Sequence, residues 1–300
     1  MKLGGHETFY PRPGWLTKGL LHLRHDGIGV FSAPETADRL GIGRNMAKSI
    51  GWWLDATGLA TRSSRNSPLE LTRLGTVLAE RDPYMVRLGT WWLVHASAMT
   101  CGVDTSLPWF FSPRRLERCD RAVLVETLAR DLSPNEGKAP TIKTVQREVA
   151  AVMQTYAVPV PRPRNDPEDN LGSPFHRLDL WRYLRGADRF ERSEPTPPPP
   201  EALGLVLSAL GMSRPCTDLR EGVLQDIAIG SAPMTRAGAM LGRSREALLD
   251  LAVAGERELG AEVLRVRTMA GERYVSLPSA TAATWAQRFY DRVGAAREAA

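Results

Sequence analysis

Residues 34–59, PETADRLGIGRNMAKSIGWWLDATGL, carry the spacing of a helix-turn-helix. Ala37 is small enough to let two helices cross, and Gly41, four residues on, permits a left-handed turn between them. Ile42, Ala47 and Ile50 then lock the second helix against the first. Arg44, Asn45, Lys48 and Ser49 fall on the outward face at the start of that second helix, where a recognition helix carries its base and phosphate contacts. A plain helical hairpin has the same spacing, so the next residues of the chain decide between the two. Residues 59–72, LATRSSRNSPLELT, read as a strand, a polar turn and a second strand with alternating Leu69 and Leu71. A helix-turn-helix followed by a hairpin is the order of a winged helix. Arg62, Arg65 and Asn66 at the hairpin tip suit a phosphate contact.

Upstream, KLGGHETFYPRPGWLTKG (residues 2–19) is too rich in Gly and Pro to be helical, yet Phe9, Tyr10 and Trp15 seek burial. It is expected to be an extended strap that brings His6, Glu7 and Arg12 together, either to tie the strap down or to serve chemistry beside the DNA. WLTKGLLHLRH (15–25) is a first helix, with Leu16, Leu20, Leu21 and Leu23 inward and basic residues such as Lys18 outward.

Residues 73–132 continue as helices, broken at Pro108, and their aromatic group of Trp91, Trp92, Trp109, Phe110 and Phe111 has the spacing of a core rather than a base-stacking platform. Over 139–158, Ile142, Val145, Val149, Val152 and Met153 share one face behind an N-cap at Thr141. Lys143, Gln146 and Arg147 face outward, toward DNA or simply toward water.

From 159 to 200 the composition turns to proline, and ERSEPTPPPPEA reads as a stiff linker between two domains. Asp166, Glu168 and Asp169, beside Arg162 and Arg164, suit either a divalent cation or a salt-bridged loop. Beyond the linker the first pattern returns in other residues. Helices are expected at 202–211 and 217–229. Gly238 and Gly242 repeat the turn spacing, Arg243, Ser244 and Arg245 open a second recognition helix, and strands carrying Val263, Arg265 and Arg267 pair with Arg273 and Val275 across an Ala270-Gly271 turn. The expected architecture is therefore mainly α with small β-wings, two winged helix-turn-helix modules joined by a helical middle region. Its parts are a strap and winged helix (1–85), a helical middle (86–182), a proline-rich linker (183–200) and a C-terminal winged helix (201–300).

With 43% apolar residues the 300-residue chain can bury one large core or two to three small ones. A net charge of +5 suits a nucleic-acid partner without demanding one. Cys101, Cys119 and Cys216 match neither a zinc ribbon nor a disulfide framework, and read as buried thiols in a reducing cytoplasm. The most apolar segment, TWWLVHASAM at 90–99, is too short to span a bilayer, so no membrane partner is expected.

The runs GGHETFYPRPGWLTKGL, ADRLGIGRNMAKSIGWWLDATGL, LTRLGTVLAERDPYM, TWWLVH, PTIKTVQREVAAVMQTY and DPEDNLGSPFHRLDL, taken in this order, resemble the domain of unknown function carried by SspB proteins, over roughly residues 3–182. SspB is the DNA-nicking component of bacterial single-strand DNA phosphorothioation systems, where it acts with a cysteine desulfurase, an ATPase and a PAPS-reductase-like protein. The resemblance implies cleavage of a DNA backbone, those partner proteins and a role in anti-phage defence. Which residues cut is written in no motif; the catalytic candidates are His6 and Glu7, which stand in the run resembling the domain's opening, and then the clustered loop acids Asp166, Glu168 and Asp169. Glu7 and those three acids are the expected ligands of a divalent metal, Mg²⁺ or Mn²⁺, which such a cleavage commonly uses. No H-E-x-x-H, PD-D/E-x-K or HNH pattern is present. The other expectation is a non-catalytic DNA-binding regulator or adaptor. A homodimer is compatible with either.

Overall fold

The computed structural model describes residues 1–27, 29, 31, 35–64, 67–113, 117–132, 139–158 and 172–298. Helices α1 (Trp15–Asp26), α2 (Thr36–Leu40) and α3 (Arg44–Ala56) open the chain. Gly41 adopts φ 65°, and the Gly41 and Ile42 amides return to the carbonyls of Asp38 and Ala37, closing the α2–α3 turn. Ala37, Ala47, Ile50, Trp53 and Leu54 are buried between the helices. Strands β1 (Ala60–Thr61) and β2 (Glu70–Leu71) pair antiparallel behind α3, with Leu69 buried at their base.

Two side chains depart from the expected faces. Ser49, expected outward, is fully buried, because it lies four residues before Trp53 and beside Ile50 on the inner stripe of α3. Ile142, expected inward, is 53% exposed, since it starts its helix before that helix reaches the core.

The middle holds α4 (Arg73–Arg81), α5 (Leu88–Thr100), α6 (Leu107–Phe110), α7 (Arg121–Asp131) and α8 (Ile142–Tyr156), with Pro108 in the first turn of α6. Between and after them runs a four-stranded sheet that the sequence did not announce, in the order β3-β6-β5-β4. Its strands are β3 (Arg118–Cys119), β4 (Ala157–Val158), β5 (Trp181–Leu184) and β6 (Arg189–Arg192), only two to four residues each and too short to show a period. Residues 183–200, expected as a linker, hold the end of β5, all of β6 and a proline strap whose Pro195 and Pro198 are buried. That strap is laid onto the protein by burial of its rings.

The C-terminal part runs α9 (Pro200–Gly211), β7 (Leu224–Ala228), α10 (Ala232–Leu241), α11 (Arg245–Leu259), β8 (Arg265–Met269), β9 (Glu272–Pro278) and α12 (Ala282–Glu298). The helix expected over 217–229 is corrected to strand β7: Gln225 and Ile227 are buried while Leu224 and Asp226 are exposed, a period of two. β7 joins β9, and β9 joins β8 through the expected turn, with Ala270 and Gly271 both at positive φ.

The core is continuous from Trp15 to Tyr290. α9 is buried on every side from Pro200 to Leu210, and α12 packs on both α4 and α9. The molecule is mainly α with small sheets. The three cysteines are free and buried, and burial pushes their thiols up to about 12, 11 and 11 for Cys101, Cys119 and Cys216. No helix among the described residues is long and apolar enough to cross a membrane.

Candidate functional site

At the start of α3 the backbone leaves the Gly41 turn through Ile42 and Gly43, so the first helical turn stands clear of the body. Arg44, Asn45 and Lys48 are all exposed there, and among the described residues none of their side chains enters a hydrogen bond or ion pair. Two unpaired cations and an amide on one convex turn are free to meet phosphates and base edges. The β1–β2 hairpin follows the other end of α3, where the charge of Arg62 acts on Asp55. Arg62 donates from Nη1 to the Ser67 carbonyl at 2.7 Å and so braces the hairpin. Arg65 and Asn66, expected at its tip, lie outside the described residues.

The strap is pinned by a buried network. His6 Nδ1 accepts the Thr8 amide at 3.0 Å, which leaves the ring proton on Nε2, and Nε2 donates to Glu148 Oε2 at 2.9 Å. The Gly4 amide donates to the same oxygen at 2.7 Å, and the Ser106 hydroxyl to Glu148 Oε1 at 2.5 Å. His6 and Glu148 are 1% and 0% exposed. Burial alone would raise the Glu148 carboxyl, but the bonds from His6, Ser106 and Gly4 outweigh it and hold the group below its usual value. Trp52 closes the strap from above, edge-on to the His6 ring and so near Gly5 that a Cβ there would meet its indole at 2.2 Å.

Glu7 and Thr8 pass over this anchor with φ 51° and 68°. Glu7 is half-buried, and among the described residues its carboxylate has no hydrogen-bonding or ionic partner. Arg12 stacks over Trp15, and Lys18 is exposed on α1. Glu148 is the residue that sequence reasoning missed. Its signal was a carboxylate set among Val145, Val149 and Val152 on the inner face of α8.

Lys143, Gln146 and Arg147 are exposed along α8. Asp166, Glu168 and Asp169 lie outside the described residues, as do Arg162 and Arg164. Among the described residues no three His, Cys, Asp or Glu side chains gather as metal ligands. His6, with both nitrogens engaged, and the solitary Glu7 do not by themselves fit a divalent cation.

In the C-terminal part Arg243 is tied down, donating from Nη1 to the Pro195 carbonyl at 2.8 Å. Ser244 caps α11 by accepting from the Ala247 amide, and Arg245 beside it is exposed. Arg265 is exposed and Arg267 half-buried on β8. A groove of about 850 Å³ separates α10 and α11 from β3 and β6. Arg192, Arg243 and Arg245 line it along with Glu117, Glu194 and Glu246, so neither sign of charge prevails.

The sequence pattern of DUF4007, a family described as protein of unknown function, matches residues 3–210. No curated protein matches the chain. Two solved structures share its fold, a magnesium ion-bound SspB crystal structure and a further SspB crystal structure. Each has a TM-score of 0.78 and 22% sequence identity, and each comparison covers 97% of this chain and 88% of the other.

Proposed function

The chain belongs to the DUF4007 family, and from that membership and the fold it shares with SspB we propose that it binds double-stranded DNA and nicks one strand within a phosphorothioation system. The observation that carries the binding is the exposed set of Arg44, Asn45 and Lys48 at the start of α3, unpaired among the described residues. In this reading α1–α3 with β1 and β2, and α9–α11 with β7–β9, are two winged helices. The N-terminal one reads DNA through α3 and Arg62. Lys18, Lys143, Arg147, Arg245 and Arg265 extend the contact to more distant phosphates.

Cleavage must activate a nucleophile and stabilise charge on a phosphoryl oxygen. Glu7, with no partner among the described residues and on a turn pinned by His6, is the described carboxylate best placed to accept a proton. A divalent ion, Mg²⁺ or Mn²⁺, would draw on Glu7 and the Asp166, Glu168 and Asp169 run, and would supply charge stabilisation at the phosphate when bound. The system's ATPase and PAPS-reductase-like proteins are the proposed partners, in the cytoplasm.

The burial of His6 favours a second reading, a non-catalytic DNA-binding adaptor in which the strap is purely structural. A supercoiled-plasmid assay with Mg²⁺ or Mn²⁺, with and without chelator, separates the two. Open circles that the chelator prevents support nicking, and binding without nicking supports the adaptor. Arg44→Ala with Lys48→Ala is expected to weaken binding, by about 1–3 kcal/mol for each side chain that reads a base edge directly. Unchanged affinity in the folded double variant overturns the α3 surface.

A further inference from the structure

The corner between α4 and α5, residues 82–87, uses buried polar groups to display apolar side chains. Asp82 is buried, and its carboxylate accepts the Val86 amide at 3.1 Å, the Arg87 amide at 3.1 Å and the Thr90 hydroxyl at 2.7 Å. Met85 is buried at φ 50°, its amide bonded to the Asp82 carbonyl and its own carbonyl accepting Trp91 Nε1 at 2.8 Å. From this rigid turn the two residues flanking Met85 point outward. Tyr84 is 71% exposed and Val86 66%, the two most exposed large apolar residues among those described, and Tyr84 is the sole aromatic so displayed. Rigid display of this kind lowers the entropy cost of a contact.

Cations surround the knob. Arg177 donates to the Val86 carbonyl at 3.0 Å and Arg87 starts α5, and among the described residues neither meets a carboxylate. The nearby acids are engaged: Asp82 with the turn itself, Asp291 with Arg81 and Gln287, and Glu80 with Arg24. A protein partner would need an apolar pocket with an acidic rim, whereas a duplex offers stacked bases between phosphates at every step. We propose that the 82–87 corner is a second DNA contact, a wedge in which Tyr84 and Val86 enter a base step while Arg87 and Arg177 hold the flanking phosphates. Apolar wedges of this kind unstack a step and kink the duplex. The inference rests on the proposed DNA binding and gives it a second, deforming site.

The test uses the full chain and a duplex of about 30 base pairs labelled at both ends, which reports binding by anisotropy and bending by energy transfer. The wild type is expected to bind and to shorten the end-to-end distance. Tyr84→Ala with Val86→Ala is expected to lose the bend and about tenfold or more in affinity, while Tyr84→Phe keeps both. Arg87→Ala and Arg177→Ala should each flatten the salt dependence of binding by about 0.9 in the log–log slope. A double alanine variant that binds and bends like the wild type overturns the wedge. So does wild-type binding without a bend, or a defect confined to association with a protein partner. If the wild type does not bind duplex at all, the proposed function falls with it. If only the Arg44→Ala, Lys48→Ala variant is silent, the α3 reading fails while the wedge stands.

Discussion

A buried carboxylate persists only where its lone pairs are filled, and Glu148 fills them from three places on the chain: Gly4, His6 and Ser106. Removing His6 leaves that charge short of a donor, whereas removing Glu148 leaves the His6, Ser106 and Gly4 donors without their acceptor. His6→Ala is therefore expected to cost about 3–5 kcal/mol, and Glu148→Ala about 1–3 kcal/mol for each buried donor it strands, both read by urea unfolding. A loss under about 1 kcal/mol would mean that water already reaches the pair. Glu7 is the contrast on the same turn. With no partner among the described residues, Glu7→Gln should leave stability within about 0.5 kcal/mol, while under the proposed function it abolishes nicking. Equal loss of stability and activity would return Glu7 to a structural role. The sequence reading set His6 and Glu7 on a strap, but it passed over Glu148 although that acid stands amid the valines of α8. The pairing of His6 with Glu148 across 142 positions was not legible, because periodicity reports a residue's own element and nothing about what crosses it. Ser49 shows the same limit at closer range, since a small polar residue fits either side of a helix until its neighbours choose.

The α2–α3 and α10–α11 turns each rest on a glycine, and the two glycines sit in different surroundings. Gly41 has φ 65° and open space where a Cβ would point, so Gly41→Ala bears only the strain of the left-handed backbone, about 1 kcal/mol. Gly242 has the same φ, but its Cβ would stand 2.8 Å from Leu180 Cδ2 and 3.2 Å from Pro195. Gly242→Ala should therefore destabilise clearly more than Gly41→Ala. Equal effects in urea would show that the proline strap yields. Both turns were readable because glycine at a positive φ is a local signal, as was the Ala270-Gly271 hairpin. Strand β7 was not, since five residues after the Gly222 corner fit a helix or a strand until β9 claims one edge. The middle sheet was hidden for a related reason, its β4–β5 pairing being parallel between distant segments.

Proline runs suggested separate modules, yet the longest-range packing crosses them. α9 lies against α5, while α12 reaches back to α4 through Asp291 with Arg81, and to α5 through Tyr290 with Thr90 and Phe289 against Gly89. Expressed alone, residues 200–300 would bare those faces of α9 and α12. The fragment is expected to aggregate or lack a cooperative transition by circular dichroism, and a soluble two-state fragment would count against the shared core. Composition could not reveal this, because a buried proline strap and an exposed one read alike. His95 ties the same parts together at the centre of α5, its Nε2 donating to the Met240 carbonyl at 2.8 Å while Nδ1 accepts the Tyr156 hydroxyl at 3.0 Å. Burial favours the neutral ring in this arrangement and pushes its pKa down from 6.5 to about 4. The unfolded chain thus binds a proton between those values that the folded one refuses, so stability is full above pH 6.5 and falls as pH drops toward 4. The shift corresponds to about 3 kcal/mol. His176, also lowered by burial, adds to the loss with the same sign, and Glu148, held below its usual value, contributes only at more acidic pH. Urea unfolding across this window should show the decline, and His95→Asn, though less stable at neutral pH, should show a much shallower one. A wild-type stability that stays flat down to the ordinary carboxylate range would mean that His95 is protonated in the fold, with its hydrogen bonds to Met240 and Tyr156 rearranged.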